Sequence, residues 1–344
     1  MKMRFIIILM FLSSAIAFGQ NEKRMAVVET SACYMRIEPD YESALETQEL
    51  MGTVVEIVGE SRYWREIVSP QPYKAWTTEK TLVEMSEKQL KEYEAAPKYM
   101  FTELYGHIYM EPSEKSQTVC DLVGGDVMRM VLRAAGTKEK DSSKNRVTPK
   151  LNAVTKGKWA QVELPSGTKG WVLKNAVKPL EARIDIRMGD SSDQLISDEK
   201  MEAIITSAHQ LLGVPYLWGG MTSKGVDCSG LVRISAIMND VLLPRNASQM
   251  IKCGVSVVQK NTGNEAEYDR SNALKMTANL QRGDLVFFGT PATEEKPMKV
   301  THVGIYLGNN RIIHSSHKVR INSLIPGDAD YYENAHRFIG AVRL

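Results

Sequence analysis

A chain of 344 residues, 43% hydrophobic and 24% charged, can bury more than one core and is neither a disordered nor a fibrous protein. Its formal charge of +2 is close to balance, so neither nucleic acid nor an acidic membrane surface is indicated as a partner. The four cysteines, Cys33, Cys120, Cys228 and Cys253, are too widely spaced for a zinc site or a disulfide framework; no metal or other cofactor is expected, and a Cys33–Cys120 bridge stays open for an oxidising compartment.

Residues 1–19 read as a signal peptide. Lys2 and Arg4 precede the apolar run Phe5–Phe11, which is too short to span a bilayer, and the small residues Ala15, Ala17 and Gly19 offer a cleavage site. No cysteine directly follows the run, so no lipoprotein anchor is expected. The mature chain would be exported, without a membrane span, to the periplasm or the outside of the cell.

Two diverged copies of one pattern follow, at 20–85 and 101–180. The first runs through Tyr34-Met35, Glu49–Val58, Tyr63–Val68 and Ala75-Trp76; the second through Tyr109-Met110, Asp121–Met130, Lys158–Val162 and Gly170–Leu173. Each is a series of short alternating segments with late tryptophans, which serve equally well as core or as ligand platforms. The series resembles bacterial SH3 barrels. Between the copies, residues 86–100 form a linker in which the Glu- and Lys-rich Ser86–Lys98 reads as a solvated helix. The charged, weakly patterned stretch 136–158 reads as a long loop within the second copy.

After a second linker, 181–196, the unit 197–344 begins. Ser197 caps a helix from Asp198 to Leu212 whose stripe is Ile204, Ile205, Ala208, Leu211 and Leu212; His209 on it is assigned to packing or surface. The turn-rich stretch Gly213–Gly220 leads to Val226-Asp-Cys-Ser-Gly230, where the pattern becomes helical, so Cys228 stands in the first turn of a buried helix. Free N–H groups and the helix dipole there would stabilise a thiolate and lower its pKa, although a structural cysteine fits that position equally well. Leu243–Gln249 reads as a loop and 254–280 as a polar surface excursion, before a strand at Leu285–Phe288.

The hairpin Lys299–Ser315 then carries His302 and His314, two of only six histidines. A cysteine at a helix N-terminus with two histidines on adjacent strands is a nucleophile, base and orienter set. Parity constrains it. A regular two-residue turn at Asn309-Asn310 would pair Gly308 with Arg311 and set His302 opposite His317, leaving His314 on the far face. The pair therefore requires a three-residue loop or a bulge that restores parity.

Tyr216-Leu-Trp-Gly-Gly220, Asp227-Cys-Ser-Gly230, Arg282-Gly-Asp-Leu-Val-Phe287, Thr301-His-Val-Gly-Ile305 and Ile313-His314 together resemble the NlpC family of cell-wall cysteine peptidases. The resemblance covers residues 197–344. It implies an α+β protein, a papain-like NlpC catalytic domain preceded by two small all-β SH3-like barrels. It further implies Cys228 as nucleophile, His302 as general base, His314 as its orienting partner, and Tyr216 as an oxyanion donor beside the Cys228 N–H. Tandem barrels ahead of such a core look like the YkfC-type γ-D-glutamyl-L-diamino acid endopeptidases, which release L-Ala-D-Glu from stem peptides with a free N-terminal L-alanine. That likeness implies substrate contacts from Trp218, Asp227, Ser229, Arg245 and Asn246, with Tyr73 standing for the tyrosine of the first domain. Where the subfamily has Arg-Asp-Ser, this chain has Arg245-Asn246-Ala247, which supplies no charge for an ammonium group. Muropeptides or stem peptides are the expected partners of a monomeric enzyme. The alternatives are an endopeptidase that remodels intact peptidoglycan and a non-catalytic wall-binding protein.

Overall fold

The computed structural model describes residues 23–70, 73–141, 146–192, 195–259 and 268–344. The signal-peptide reading, at 1–19, lies outside the described residues. Seven strands come first: β1 (Arg24–Val28), β2 (Cys33–Arg36), β3 (Leu45–Glu49), β4 (Val54–Ser61), β5 (Trp64–Val68), β6 (Lys74–Thr78) and β7 (Leu82–Met85). They pair in the order β3-β2-β6-β5-β4-β1-β7. Alternation buries Ala26, Val28, Cys33, Met35, Val55, Ile57, Ile67 and Ala75 on one side as a core.

Helix α1 (Glu87–Ala95) follows, opened by a Ser86–Gln89 capping box. It is not wholly solvated, as the Glu/Lys composition had implied. Tyr93 is buried, with the Lys98 ammonium 4.8 Å and the Arg129 guanidinium 5.6 Å from its ring centre. One aromatic anchor thus outweighs an otherwise polar helix, through apolar area and cation–π attraction.

The second set comprises β8 (Lys98–Phe101), β9 (Tyr105–Tyr109), β10 (Thr118–Val123), β11 (Val127–Met130), β12 (Leu132–Asp141), β13 (Arg146–Ala153), β14 (Thr155–Lys156), β15 (Trp159–Glu163), β16 (Lys169–Leu173) and β17 (Val177–Pro179). Its path, β10-β9-β16-β15-β11-β8-β17, repeats the first strand for strand, with β14 added beside β15. Register aligns Trp64 with Trp159 and Trp76 with Trp171, but sets Tyr109 in the place of Arg36 rather than of Tyr34. Neither path closes, so the expected barrels are open sheets. The outer edge of β3 is instead covered by the C-terminal unit, which satisfies an edge as well as closure would. The stretch read as a loop at 136–158 is largely the antiparallel ribbon β12–β13. A two-stranded ribbon needs no apolar face to pair its backbones, so hydrophobic patterning does not reveal it.

The C-terminal unit contains β18 (Ile184–Asp185), α2 (Asp198–Gln210), β19 (Met221–Thr222), β20 (Gly225–Val226), α3 (Cys228–Ile237), β21 (Val241–Leu242), α4 (Ala247–Met250), β22 (Val255–Gln259), α5 (Arg270–Thr277), β23 (Leu285–Thr290), β24 (Lys299–Gly308), β25 (Arg311–Ser316), β26 (Lys318–Ser323) and β27 (Phe338–Arg343). Its main sheet runs β22-β27-β23-β24-β25-β26, and the wholly buried α3 packs against β24 and β25 on one side and α2 on the other. Ser197 caps α2, accepting a hydrogen bond from the Lys200 N–H. The excursion at 254–280 holds an edge strand and a helix. Asp269 caps that helix, and Tyr268 and Ala273 are buried with Phe288 and Phe338. Leu243–Gln249 is not all loop either, since Ala247–Met250 makes a helical turn. All four cysteines are free, so Cys33 and Cys120 are not bridged; Cys33 instead bonds the Thr77 hydroxyl at 3.2 Å.

Candidate active site

The thiol is placed by the cap before it. Asp227 has extended backbone angles (φ −83°, ψ −178°), and its Oδ1 accepts the Gly230 N–H at 2.6 Å and the Ser229 hydroxyl at 3.1 Å, closing the first turn of α3. Gly230 is required here, since a Cβ would lie 2.0 Å from the Gly220 carbonyl oxygen. The Gly213–Gly220 loop is stitched to the β25–β26 hairpin: Gly213 N–H donates to Val319 C=O and Tyr216 N–H to His317 C=O, both at 2.9 Å. The motif cysteine and the hairpin histidines, about seventy to ninety residues apart in the chain, thereby share one frame.

The hairpin takes a form that serves its histidines. Asn309 (φ 51°) and Asn310 (φ 59°) make a two-residue turn pairing Gly308 with Arg311, and a bulge follows at once, so that Tyr306 pairs with Ile312 and Ile305 with Ile313. Leu307 is the extra residue, and it restores the parity that the turn alone would lose. His302 and His314 share a face, their rings 5.0 Å apart and nearly perpendicular. His302 Nε2 and His314 Nδ1 stand 2.8 Å apart.

The hydrogens in this chain are fixed from its far end. Asn322, on β26, donates its Nδ2–H to the Asp330 carbonyl at 2.6 Å, which leaves Oδ1 as an acceptor 2.9 Å from His314 Nε2. His314 therefore carries its hydrogen on Nε2 and presents a bare Nδ1. His302 must donate to it through Nε2–H, leaving its own Nδ1 as the basic nitrogen for a thiol proton. Burial, then His314, pushes the His302 pKa down to about 3; burial also lowers His314, to about 4. His302 remains partly exposed, whereas His314 is fully enclosed. Both rest as neutral imidazoles.

The thiol departs from expectation. The helix terminus does direct the Ser229 N–H at the Cys228 sulfur, joined by the Val303 N–H, and both favour thiolate. Burial outweighs them, with Asp227 adding to it, and the thiol is pushed up to about 11. Thiol and imidazole therefore both rest neutral.

Above the thiol lies a groove of about 350 Å³. Tyr216, Trp218, Asp227, Cys228, Ser229, Arg245, Asn246 and Tyr73 all line it, while His302 and His314 lie outside its lining. Trp218 is 66% exposed. Tyr216 is pushed up to about 12 by burial and by the nearby Cys228, so it stays a hydrogen-bond donor. Asp227, expected to hold an ammonium group, already receives both Arg245 Nη atoms (3.1 and 2.5 Å) and the Gly219 N–H (3.0 Å) besides its cap bonds. A larger hollow of about 630 Å³ beside β1 and α1 has neither cysteine nor histidine among its described lining residues, and its Arg24 is paired with Glu84.

Three residues were not singled out from the sequence. Glu46 on β3 reaches the groove and accepts the Tyr73 hydroxyl at 2.5 Å. Asn322 sits on His314's face of the sheet because β26 pairs His314 with Arg320, two residues away; that alternation was its one sequence signal. Tyr332 packs edge-on against His314 with ring centres 4.6 Å apart. Among the described residues, no cluster could hold a metal ion.

Residues 213–336 match the NlpC/P60 family. A Bacillus cereus protein named gamma-D-glutamyl-L-lysine dipeptidyl-peptidase is 28% identical over 307 residues, covering 86% of this chain and 75% of its own. Dipeptidyl-peptidase 6 of Lysinibacillus sphaericus is 23% identical, covering 87% of this chain and 91% of its own. A crystal structure of an NlpC/P60 family protein from Bacillus cereus shares the fold over 93% of this chain and 99% of its own, with a TM-score of 0.65 at 21% identity.

Proposed function

Residues 213–336 form an NlpC/P60 domain, and from that premise we propose that the chain is a cysteine peptidase cleaving the γ-D-glutamyl–L-diamino acid bond of freed peptidoglycan stem peptides. The observation that carries the chemistry is the chain Asn322–His314–His302, whose tautomers leave one bare imidazole nitrogen on β24, the strand whose Val303 N–H meets the Cys228 sulfur. Cys228 Sγ attacks the amide carbonyl carbon as its proton passes to His302 Nδ1. The oxyanion is held by the Cys228 N–H and the Tyr216 hydroxyl. Collapse breaks the C–N bond, His302 returns the proton to the departing amine, and a thioester remains. Water, deprotonated by His302, then releases the acid and restores the thiol. His314, held by Asn322, orients His302 and shares its charge.

The substrate reading rests on Glu46. With Asp227 tied to Arg245, Glu46 is the carboxylate that brings negative charge to the groove, beside Tyr73 and Asn246, as a free α-ammonium group requires. Lys299 brings a cation to the same groove, suited to the free carboxylate of a γ-linked glutamate. Incubating the protein with L-Ala-γ-D-Glu-L-Lys and its N-acetylated form tests this, with faster release of L-Ala-D-Glu from the free amine expected. Residues 1–19 support export, and the mature enzyme is read as a periplasmic or extracellular monomer.

A second reading has one supporting observation. We read the two repeated sheets as SH3-like units, and the first exposes Tyr41 and Tyr63, stacked at 6.1 Å beside Trp64. Such a platform suits binding to intact wall. Equal rates on free and blocked peptides, together with cleavage of sacculi, would favour it.

A further inference from the structure

β3 belongs to the N-terminal sheet, yet consecutive residues at its end and just after it enter the C-terminal unit. Gln48 Oε1 accepts the Met221 N–H at 2.8 Å, Glu49 stands 3.6 Å from the buried Arg233 guanidinium, and Leu50 joins the core around α3. Thr47, 0% exposed, accepts from Arg245 Nε at 2.7 Å across 198 residues of sequence.

That bond has a geometric consequence. Arg245 grips the Asp227 carboxylate through Nη1 and Nη2 and the Ser229 hydroxyl through Nη1. A guanidinium is planar, so fixing Nε as well fixes the direction from which the fork meets its carboxylate. Asp227 passes the constraint to two backbone N–H groups: Gly230, in the first turn of the helix bearing the thiol, and Gly219, in the loop bearing Tyr216 and Trp218. Nucleophile and oxyanion donor are thus held together through one carboxylate whose clamp is anchored in another sheet. The clamp also keeps cation on anion beside the sulfur, where Asp227 disfavours thiolate and Arg245 favours it.

We propose that Thr47 is a positioning residue for the thiol, acting through Arg245 and Asp227, so that the N-terminal sheet is a working part of the catalytic apparatus and not only a wall of the groove. The proposal rests on the peptidase reading. Its test uses the full chain and two readouts: steady-state cleavage of L-Ala-γ-D-Glu-L-Lys, and the rate of Cys228 alkylation by iodoacetamide, which needs no substrate. Thr47→Val, which keeps the shape and removes the acceptor, is expected to lower kcat and the alkylation rate about tenfold each, the scale of one hydrogen bond to a charged group, with KM within about twofold. Thr47→Ala should behave like Thr47→Val, and Thr47→Ser should restore both rates. In an Arg245→Ala background, Thr47→Val should do nothing more. Wild-type alkylation rates in Thr47→Val and Thr47→Ala, loss in Thr47→Ser equal to that in Thr47→Val, or full additivity with Arg245→Ala would each overturn the proposal. If the wild-type chain cleaved no peptide, the peptidase reading would fail, and the alkylation rates would still judge the role of Thr47.

Discussion

His314 Nε2 and Asn322 Oδ1 meet at 2.9 Å, and this one bond determines which nitrogen of His302 is bare. Asn322→Leu keeps the size and removes the acceptor. It is expected to lower kcat by about ten- to a hundredfold with little change in KM, since orientation and not substrate contact is lost. Asn322→Asp keeps an acceptor and adds a negative charge that favours protonated His314. The acid limb of its pH–kcat profile should move to higher pH. Wild-type profiles in both variants would remove Asn322 from the chain.

Cys228→Ala should abolish hydrolysis while leaving the fold intact by circular dichroism. Burial raises all four thiols, Cys33, Cys228 and Cys253 to about 11 and Cys120 to about 12, so a low resting pKa does not set Cys228 apart. What does, in the proposed mechanism, is the imidazole that takes its proton. Peptide mapping after brief iodoacetamide treatment should therefore find Cys228 labelled first. Earlier labelling of Cys120, the more accessible thiol, would count against the base assigned to His302.

Acid should destabilise the fold through the two histidines. Their native pKa values, about 3 and about 4, lie below the ordinary value of 6.5 that the unfolded chain regains. Between about 6.5 and 4 the unfolded chain binds protons that the native chain does not, so stability is held above that window and falls as pH falls through it. Urea melts at several pH values across the window measure this slope. His314→Asn should flatten it, whatever its effect on stability at neutral pH. An unchanged slope would mean that His314 is not buried in its neutral form.

Glu46→Gln separates charge from shape in the groove. It should reduce kcat/KM on free-amine tripeptide by about ten- to a hundredfold, the cost of a lost charge-assisted hydrogen bond. Cleavage of the N-acetylated peptide, already slow, should hardly change. An equal loss on both peptides would assign Glu46 to supporting Tyr73 and not to amine recognition.

Residue order suffices for whatever depends on neighbours along the chain. The cap at Ser197, the helix opening at Cys228, the tryptophans that align the two repeats, and the parity problem of His302 and His314 are all local or periodic features, and each is legible in residue order. Even there the remedy, a bulge at Leu307 instead of a longer turn, was one of two options that spacing left open. Tertiary structure alone decided the rest. Glu46 reaches the groove and Thr47 reaches Arg245 because an open sheet edge docks on the C-terminal unit, and nothing in Leu45–Glu49 announces where that edge will lie. Asp227 reads as a free carboxylate until Arg245 closes on it. The thiol should be acidic from its place at a helix terminus, yet it is pushed upward. A helix dipole is a property of a segment, whereas desolvation is a property of everything packed around it, and at Cys228 the second is the larger.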